Sequence, residues 1–549
     1  MRSSRPFVAL IVVTAAAALA SRVPKLSYRP MHCDEAVHAV KCNDLWQTGR
    51  YRYDLHEYHG PTLYYCTLPN LWLSGAKDFS ETTEATYRIV PVIFSVGLIL
   101  LLLLIADGLG RWAAVCAGVL TAVSPAMTFY GRYYIQETLL VFFTFAAIVA
   151  GWRHVRSWSA AWAILAGAAL GLMHATKETS VIAFGALAGA LLLTIAWARL
   201  HRVPRAGGPP VSDPEHGEQK HWQQAASGTP RRYFRPTALG AGLLVGVALS
   251  ALLYSGLLTN ASGPLDSLRT FATYFDRAGG HGLHDHPWHY YVRMLAYTHY
   301  APGPWWSEGL ILLLALIGVV AAFTGRGVRD GHVPLLRFLA LYTLLMTITY
   351  SVIPYKTPWC MLGFLHGMIL LAGVGAVALI RWLRYTPLRV VGGLALTAGV
   401  WHLGWQAYQA NTRFCADYRN PYVYAHPLFQ VVELAERVED VASVHPDGRA
   451  MLVKVMAEDY WPLPWYLRRL TRVGYWEEVP DEPDAPVIIV GSELQEELDR
   501  RLKNEYQVNS YGLRAPHVVL WAYIERELWN KYVDERLRPT SATAPAGPP

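Results

Sequence analysis

Eleven runs of roughly 17 to 22 mostly apolar residues dominate this chain, each close to the ~20 that an α-helix needs to cross the hydrocarbon core of a bilayer. Within lipid every backbone N–H and C=O must be paired inside the chain, so runs of this kind can only be helices packed side by side. They fall at 6–25, 86–106, 112–130, 136–152, 159–175, 180–198, 237–258, 307–324, 335–353, 359–380 and 389–406. Charged residues make up 16% of the sequence, against the roughly 25% usual in soluble proteins. Of the 41 acids, 22 follow Asn411, so the last stretch has a soluble composition that the first lacks. The expectation is an α-helical polytopic membrane protein of about 11 transmembrane helices over residues 1–410, followed by a small extracytoplasmic α/β domain over 411–538. A cleaved leader is the alternative reading of the first run, since Arg2 and Arg5 precede it and Ala-Leu-Ala-Ser ends it.

The net charge of +7 is a topology signal rather than a sign of nucleic-acid binding. With the N-terminus in the cytoplasm, the inner loops carry Arg111, Arg153, Arg156, Arg199, Arg202, Arg231, Arg326, Arg381 and Arg384, among others. The short outer turns hold only Arg132, Lys177 and Lys356. The plasma (inner) membrane is the expected location, with the large loops 26–85 and 259–306 and the C-terminal domain outside. The Pro/Gly-rich inner loop 203–230 and the tail 539–549 read as disordered. In the C-terminal region, 427–442, 493–502 and a last segment pattern as helices, and 451–456, 487–490 and 518–523 as strands. Gly491-Ser492 after a strand falls far short of a nucleotide fingerprint, so no nucleotide cofactor is expected. Cys33, Cys42 and Cys66 share one loop, where a disulfide is open but cannot be paired from sequence.

Ionisable groups at span ends need a reason in a region so poor in acids. Four motifs stand out: His32-Cys33-Asp34-Glu35-Ala36-Val37-His38, Arg132-Tyr133-Tyr134-Ile135-Gln136-Glu137-Thr138, His174-Ala175-Thr176-Lys177-Glu178-Thr179 and Ile353-Pro354-Tyr355-Lys356-Thr357-Pro358-Trp359. Each has an ordinary explanation. Asp34 could be a helix N-cap, Arg132 could pair with Glu137 and Lys177 with Glu178, and Lys356 could simply reach the interface. All four nevertheless lie on the same side of the expected topology. Carboxylates suited to take a proton from a hydroxyl, beside lysines able to hold phosphate, fit an anionic lipid-linked substrate. The Tyr58-His59-Gly60-Pro61-Thr62-Leu63-Tyr64-Tyr65 segment belongs to this side too, opening a helix expected to lie in the interface with Trp72 at headgroup level. So does the histidine-rich stretch from His281 to His289, either a hydrogen-bonded loop or ligands for a divalent cation such as zinc.

The order and sidedness of Asp34-Glu35-Ala36-Val37-His38, Tyr58-His59-Gly60-Pro61-Thr62, Gln136-Glu137-Thr138 and Tyr355-Lys356-Thr357-Pro358-Trp359 resemble the GT-C glycosyltransferases. Within them the likeness is to the dolichyl-phosphate-mannose protein mannosyltransferase-like group and its prokaryotic flippase-activity-associated branch, over roughly residues 6–406. The resemblance implies transfer of a sugar from a polyprenyl-phosphate-linked donor to an extracytoplasmic acceptor, a protein, lipid or polysaccharide, with inversion. It implies Asp34 as general base, with Glu35 beside it and Glu137 as second acid. His59, Tyr64, Arg132, Lys177, Glu178, Tyr355 and Lys356 are the expected substrate contacts, and His284 and His286 the expected metal ligands. Related aminoarabinose transferases carry a lysine in the segment matching Tyr58-His59, and this chain has His59 there. Two rival readings share the same residues: a transporter or flippase component for lipid-linked sugars, and a non-catalytic factor in envelope-polysaccharide assembly.

Overall fold

The computed structural model describes residues 5–55, 59–201, 236–278 and 284–537. The loop 203–230, the tail 539–549, Tyr58 and His281 lie outside the described residues. Every one of the eleven apolar runs is a helix or a pair of helices. In chain order the helical region comprises α1 (Arg5–Arg22), α2 (Cys33–Thr48), α3 (Thr62–Ser74), α4 (Glu84–Leu109), α5 (Arg111–Val123), α6 (Pro125–Tyr130), α7 (Glu137–Ser157), α8 (Ala160–His174) and α9 (Ser180–Leu200). It continues with α10 (Pro236–Tyr254), α11 (Gly263–Ala278), α12 (Tyr290–Ala296), a two-residue ribbon of β1 (Thr298–His299) and β2 (Trp305–Trp306), α13 (Gly309–Thr324), α14 (Val333–Val352), α15 (Leu362–Trp382) and α16 (Thr386–Asn411).

Seven of these helices are long and apolar enough to cross a membrane by themselves. Those at Arg111–Val123, Ala160–His174 and Gly309–Thr324 are apolar but shorter. At 1.5 Å per residue α5 reaches only ~20 Å, and the chain gains further depth by restarting as α6 after the Ser124 cap, with Pro125 at its first turn. α4, 26 residues long, carries Pro91 within it and begins at a capping box formed by Thr83 and Thr86.

α8 and α10 meet backbone to backbone. A Cβ on Gly167 would lie 1.8 Å from the carbonyl oxygen of Gly242, and one on Gly171 would lie 2.2 Å from that of Gly246. Without a hydrophobic drive between helices in lipid, such small-residue contacts supply the packing that holds a peripheral helix in place.

The C-terminal region folds as a five-stranded sheet flanked by helices. Its elements are α17 (Gln430–Val444), β3 (Val453–Met456), α18 (Leu463–Tyr466), β4 (Val473–Trp476), β5 (Val487–Gly491), α19 (Gln495–Arg501), β6 (Tyr506–Arg514), β7 (Val518–Glu525) and α20 (Arg526–Leu537). The strand order is β4-β3-β5-β7-β6, with β3 parallel to β4 and β5, and the remaining pairs antiparallel. The continuous apolar run of β5 is buried at every residue, as a central strand covered on both faces requires. β4 and β6 were not expected from the sequence, because Val-Gly-Tyr-Trp is short and Tyr506–Arg514 alternates imperfectly around Asn509 and Gly512. All six cysteines are free thiols.

This domain sits on one end of the helical bundle. The Tyr466 hydroxyl accepts from the Met31 amide at 2.7 Å, Trp465 Nε1 donates to Glu84 at 3.0 Å, and Arg468 donates to the carbonyl of Thr82 at 2.6 Å. Replacing Gly167 by leucine is expected to force α8 and α10 apart, with an overpacking cost of about 1–3 kcal/mol. A lowered unfolding temperature in detergent, measured against Gly151→Leu, where a Cβ meets nothing within 4 Å, checks this.

Candidate active site

The loop from α1 to α2 is drawn to its place by one buried arginine. Arg88, on the second turn of α4, donates from Nη1 to the carbonyls of Leu26 and Arg29 at 2.7 and 2.8 Å, and from Nη2 to Pro30 at 3.0 Å. Its Nε and Nη2 clasp the two Glu35 oxygens at 2.7 and 2.6 Å. Those oxygens also accept from the amides of Tyr134 at 2.9 Å and His32 at 3.1 Å, and Arg29 lies 3.7 Å away. Glu35 is completely buried. Burial alone would favour its neutral form, but Arg88 and Arg29 pull its pKa down to about 2. With both oxygens occupied, Glu35 has no position from which to accept a substrate proton. The geometry argues against the reacting role expected for it and gives it that of a brace between α2, α4 and the 131–136 turn.

Asp34 differs from its neighbour in every respect. It lies in the first turn of α2, where the helix dipole favours an anion. Its side chain is 43% exposed, within a cleft deep among protein atoms, and no arginine or lysine reaches ion-pair distance among the described residues. Crowding opposes its charge, but the fields of His32, His38, His59 and Lys177 outweigh that and hold its pKa below the usual aspartate value. His32 fixes the turn from which Asp34 projects. Its Nδ1 accepts from the Asp34 amide at 3.1 Å, and its Nε2 faces the Tyr424 carbonyl at 3.1 Å, which assigns the proton to Nε2. His38, one turn further on, is kept neutral with a pKa near 3 by burial and by its neighbours His59 and Lys177. Its Nδ1 lies 3.0 Å from the Tyr64 hydroxyl.

The other motifs converge on this point, with pairings the sequence did not anticipate. Glu137 pairs with Lys177 and not with Arg132. Glu178 pairs with His59 Nδ1 at 2.7 Å and accepts from the Tyr53 hydroxyl at 3.0 Å, rather than meeting Lys177. These contacts cross-link the turn after α6, the turn after α8 and the segment before α3. Gly60 permits the last of these: a Cβ there would lie 2.2 Å from the Ala175 carbonyl oxygen, which Thr62 engages through its amide at 3.0 Å and its hydroxyl at 2.7 Å.

Two expected substrate contacts point elsewhere. Arg132 donates to the carbonyls of Pro24 and Lys25 at 2.7 and 3.1 Å, bracing the end of α1. Lys356 is fully buried and donates to the carbonyls of Ile353 in its own turn and of His286 in the segment before α12, so its ammonium ties these two loops together. Tyr355 is 40% exposed, with its ring 4.9 Å from that of His284.

For a cation, the ligating side chains that cluster are His32, Cys33 and Asp34. His32 commits both ring nitrogens, so a metal there would dismantle the helix cap. His284 Nδ1 lies 2.6 Å from the Tyr424 hydroxyl, and His286 stacks on Tyr290 at 4.2 Å with its Nε2 buried and without a partner. Neither joins a cluster of three ligating side chains among the described residues.

Tyr424 and His426, in a segment with no motif of its own, follow α16 and reach back into the site. Tyr424 contacts both His32 and His284, and His426 Nδ1 lies 3.2 Å from the Tyr133 hydroxyl. Arg88 does carry a signal in the sequence, as an arginine inside an apolar run.

Beside Glu137 a small cavity of about 20 Å³ lies between α7, α9, α14 and α15, lined by Thr179, Tyr342, Tyr350 and Trp359 among others. A second, of about 10 Å³, shares Val141, Thr144, Tyr342 and Gly363 with it and extends to His366 and Leu370. Their mostly apolar linings run on from Glu137 into the bundle.

The arrangement is a membrane-spanning helical bundle with a carboxylate-rich cleft at one end and an α/β domain fastened over it. A model of the dolichyl-phosphate-mannose-protein mannosyltransferase family matches residues 13–208. The fold is shared with ArnT from Cupriavidus metallidurans in the apo state, at a TM-score of 0.59 and 14% identity over 93% of this chain and 97% of that one. The same enzyme bound to undecaprenyl phosphate gives 0.60 at 13% identity over 94% and 98%. The oligosaccharyltransferase of Archaeoglobus fulgidus in the apo form gives 0.52 at 12% identity, over 97% of this chain and 78% of that one. Comparison with curated proteins gives no significant match.

Two variants separate bracing from chemistry. Glu35→Ala leaves Arg88 buried and unpaired and is expected to cost about 3–5 kcal/mol of stability, whereas Asp34→Asn leaves the unfolding temperature unchanged. The Glu35 contribution is complete above the unfolded glutamate value near 4.3 and is lost as pH falls through about 2. A thermal-unfolding series over that range should show the wild type losing its advantage over Glu35→Ala.

Proposed function

We propose that this protein transfers a sugar from a polyprenyl-phosphate-linked donor to a hydroxyl-bearing acceptor on the extracytoplasmic side of the membrane, with inversion. The observation that carries this reading is the exposure of Asp34 to the cleft. Glu35, Glu137 and Glu178 are buried and paired with Arg88, Lys177 and His59, whereas the Asp34 side chain is 43% exposed, with the His32 ring 3.8 Å from it.

The lipid-linked donor is supported by the apolar lining that runs from Glu137 into the bundle, the character an isoprenoid chain needs of the helices it would part, with the Glu137–Lys177 pair at the head of that lining. The similar ArnT structure bound to undecaprenyl phosphate gives the same ligand class in the same fold. In the proposed reaction the acceptor oxygen attacks the anomeric carbon as the bond from that carbon to the phosphate oxygen breaks, and Asp34 receives the acceptor proton. A single carboxylate base suffices for inversion. Charge builds on the departing polyprenyl phosphate, and Lys177, tethered by Glu137, is the nearest candidate to meet it. Where a divalent cation takes part, Asp34, in the cluster with His32 and Cys33, is the side chain that would hold it, and the ion would supply further charge at the phosphate.

The test is release of polyprenyl phosphate by purified protein in lipid, offered polyprenyl-phosphate-linked sugars and candidate acceptors. Asp34→Asn is expected to slow transfer by about 10²–10⁴-fold with the protein still folded, and Lys177→Met to raise the donor KM. A chelator arm tests the cation. Lipid-linked sugar that crosses the bilayer uncleaved would point to a transporter, and full activity of Asp34→Asn would remove the proposed base.

A further inference from the structure

Helix α11 wears its apolar side outward. Asp266, Ser267 and Thr270 are buried against the protein, while Leu265 and Leu268 stand 51% and 57% exposed. The polar side is engaged: Thr270 Oγ1 donates to the Leu55 carbonyl at 2.9 Å, Ser267 Oγ to the Pro264 carbonyl at 2.7 Å, and Asp266 accepts from Arg269 at 3.1 Å. Leu265 and Leu268 lie three residues apart and so on one helix face.

This face is not isolated. The corner between α10 and α11 exposes Leu257 and Leu258, the latter at 81%, both held at positive φ, a backbone conformation that bulky residues seldom adopt. Upstream, α10 is one of the helices able to cross a membrane, and its outer face exposes Leu243, Leu244 and Val247. Exposed apolar side chains therefore recur from a spanning helix through the corner into α11, with Thr259, Ser262 and Arg269 as the exposed polar residues among them. In water such a patch is a liability; at the boundary of headgroups and acyl chains it is stabilising.

We propose that α11 lies in the plane of the bilayer, with Leu257, Leu258, Leu265 and Leu268 seated among the lipid chains near the headgroups, and that the lipid surface is the partner that braces one wall of the candidate active site. The connections from α11 into that wall are short. Thr270 holds Leu55, four residues before His59. Tyr254, at the end of α10, packs edge-on against Tyr53 with ring centroids 4.9 Å apart, and the Tyr53 hydroxyl donates to Glu178, the partner of His59. The bilayer contact holds whatever chemistry the site performs, so its failure and that of the transferase reading are separate events.

The experiment places single cysteines in the full-length protein in nanodiscs of phosphatidylethanolamine and phosphatidylglycerol and follows labelling by a membrane-impermeant maleimide. Leu244→Cys, on the lipid face of α10, is the protected reference, and Ser443→Cys, exposed on the C-terminal domain, the aqueous one. The unaltered chain, whose six thiols are all at least partly buried, gives the background. Leu265→Cys and Leu268→Cys are expected to label on the order of tenfold more slowly than Ser443→Cys, as burial at the headgroup boundary requires. A bimane on Leu268→Cys, attached before reconstitution, is expected to be quenched by lipid bearing a nitroxide near the headgroup. Labelling as fast as at Ser443→Cys overturns the proposal. Protection without quenching also overturns it, because protein rather than lipid would then cover the face.

Discussion

The site depends on one buried ion pair. Arg88 enters the bundle from α4 with a charge that cannot be left alone in a membrane-level interior, and Glu35 answers it with a bidentate clasp. Because Arg88 also gathers the carbonyls of Leu26, Arg29 and Pro30, and Glu35 also accepts from Tyr134, the pair joins three pieces of chain that share no secondary structure. Buried pairs of this kind need not add to stability when compared with an apolar replacement, since desolvation offsets the attraction. What this one does is fix position. The first turn of α2 can sit in one place only, and Asp34 is in that turn.

The same logic extends outward. Glu137–Lys177 and Glu178–His59 are pairs between loops rather than within them, so each turn at this end of the bundle is held by a charge on another. A pair formed inside one turn, such as Arg132 with Glu137, would leave the turns free to move independently. Cross-pairing makes the rim one body around Asp34, which suits a reaction whose groups must keep their spacing while a lipid-linked substrate arrives from the side.

The helices were legible in the sequence because lipid imposes a length and a composition that survive any rearrangement of contacts. All eleven runs fold where the apolar pattern places them, and in the C-terminal domain the periodicity locates α17, β3, β5, α19 and β7. The misses have physical causes. β4 is four residues long and interrupted by a glycine, so alternation has nothing to register. Asp34 and Glu35 are adjacent and chemically alike, and only the arginine 53 residues onward distinguishes them. Lys356 looks like a phosphate contact because a lysine in a polar turn is ordinarily free, but its own turn and the His286 segment together place carbonyls around the ammonium. Pairing partners are a property of the fold, and short-range spacing does not encode them.

The distribution of charge also bears on what kind of membrane protein this is. Transporters commonly place ionisable groups near mid-span, where a site can face either side in turn. Here the acids and lysines cluster at helix ends on one rim and are held there by ion pairs, with the C-terminal domain fastened over them through Tyr466, Trp465 and Arg468. Deeper in the bundle the cavity lining is mostly apolar, with Thr144, Tyr342 and His366 as its polar members. Alternating access would have to break the cross-pairs at the rim and release the domain together. The proposed transfer instead asks only that the donor bring its polar end to a carboxylate that the rim already holds in place.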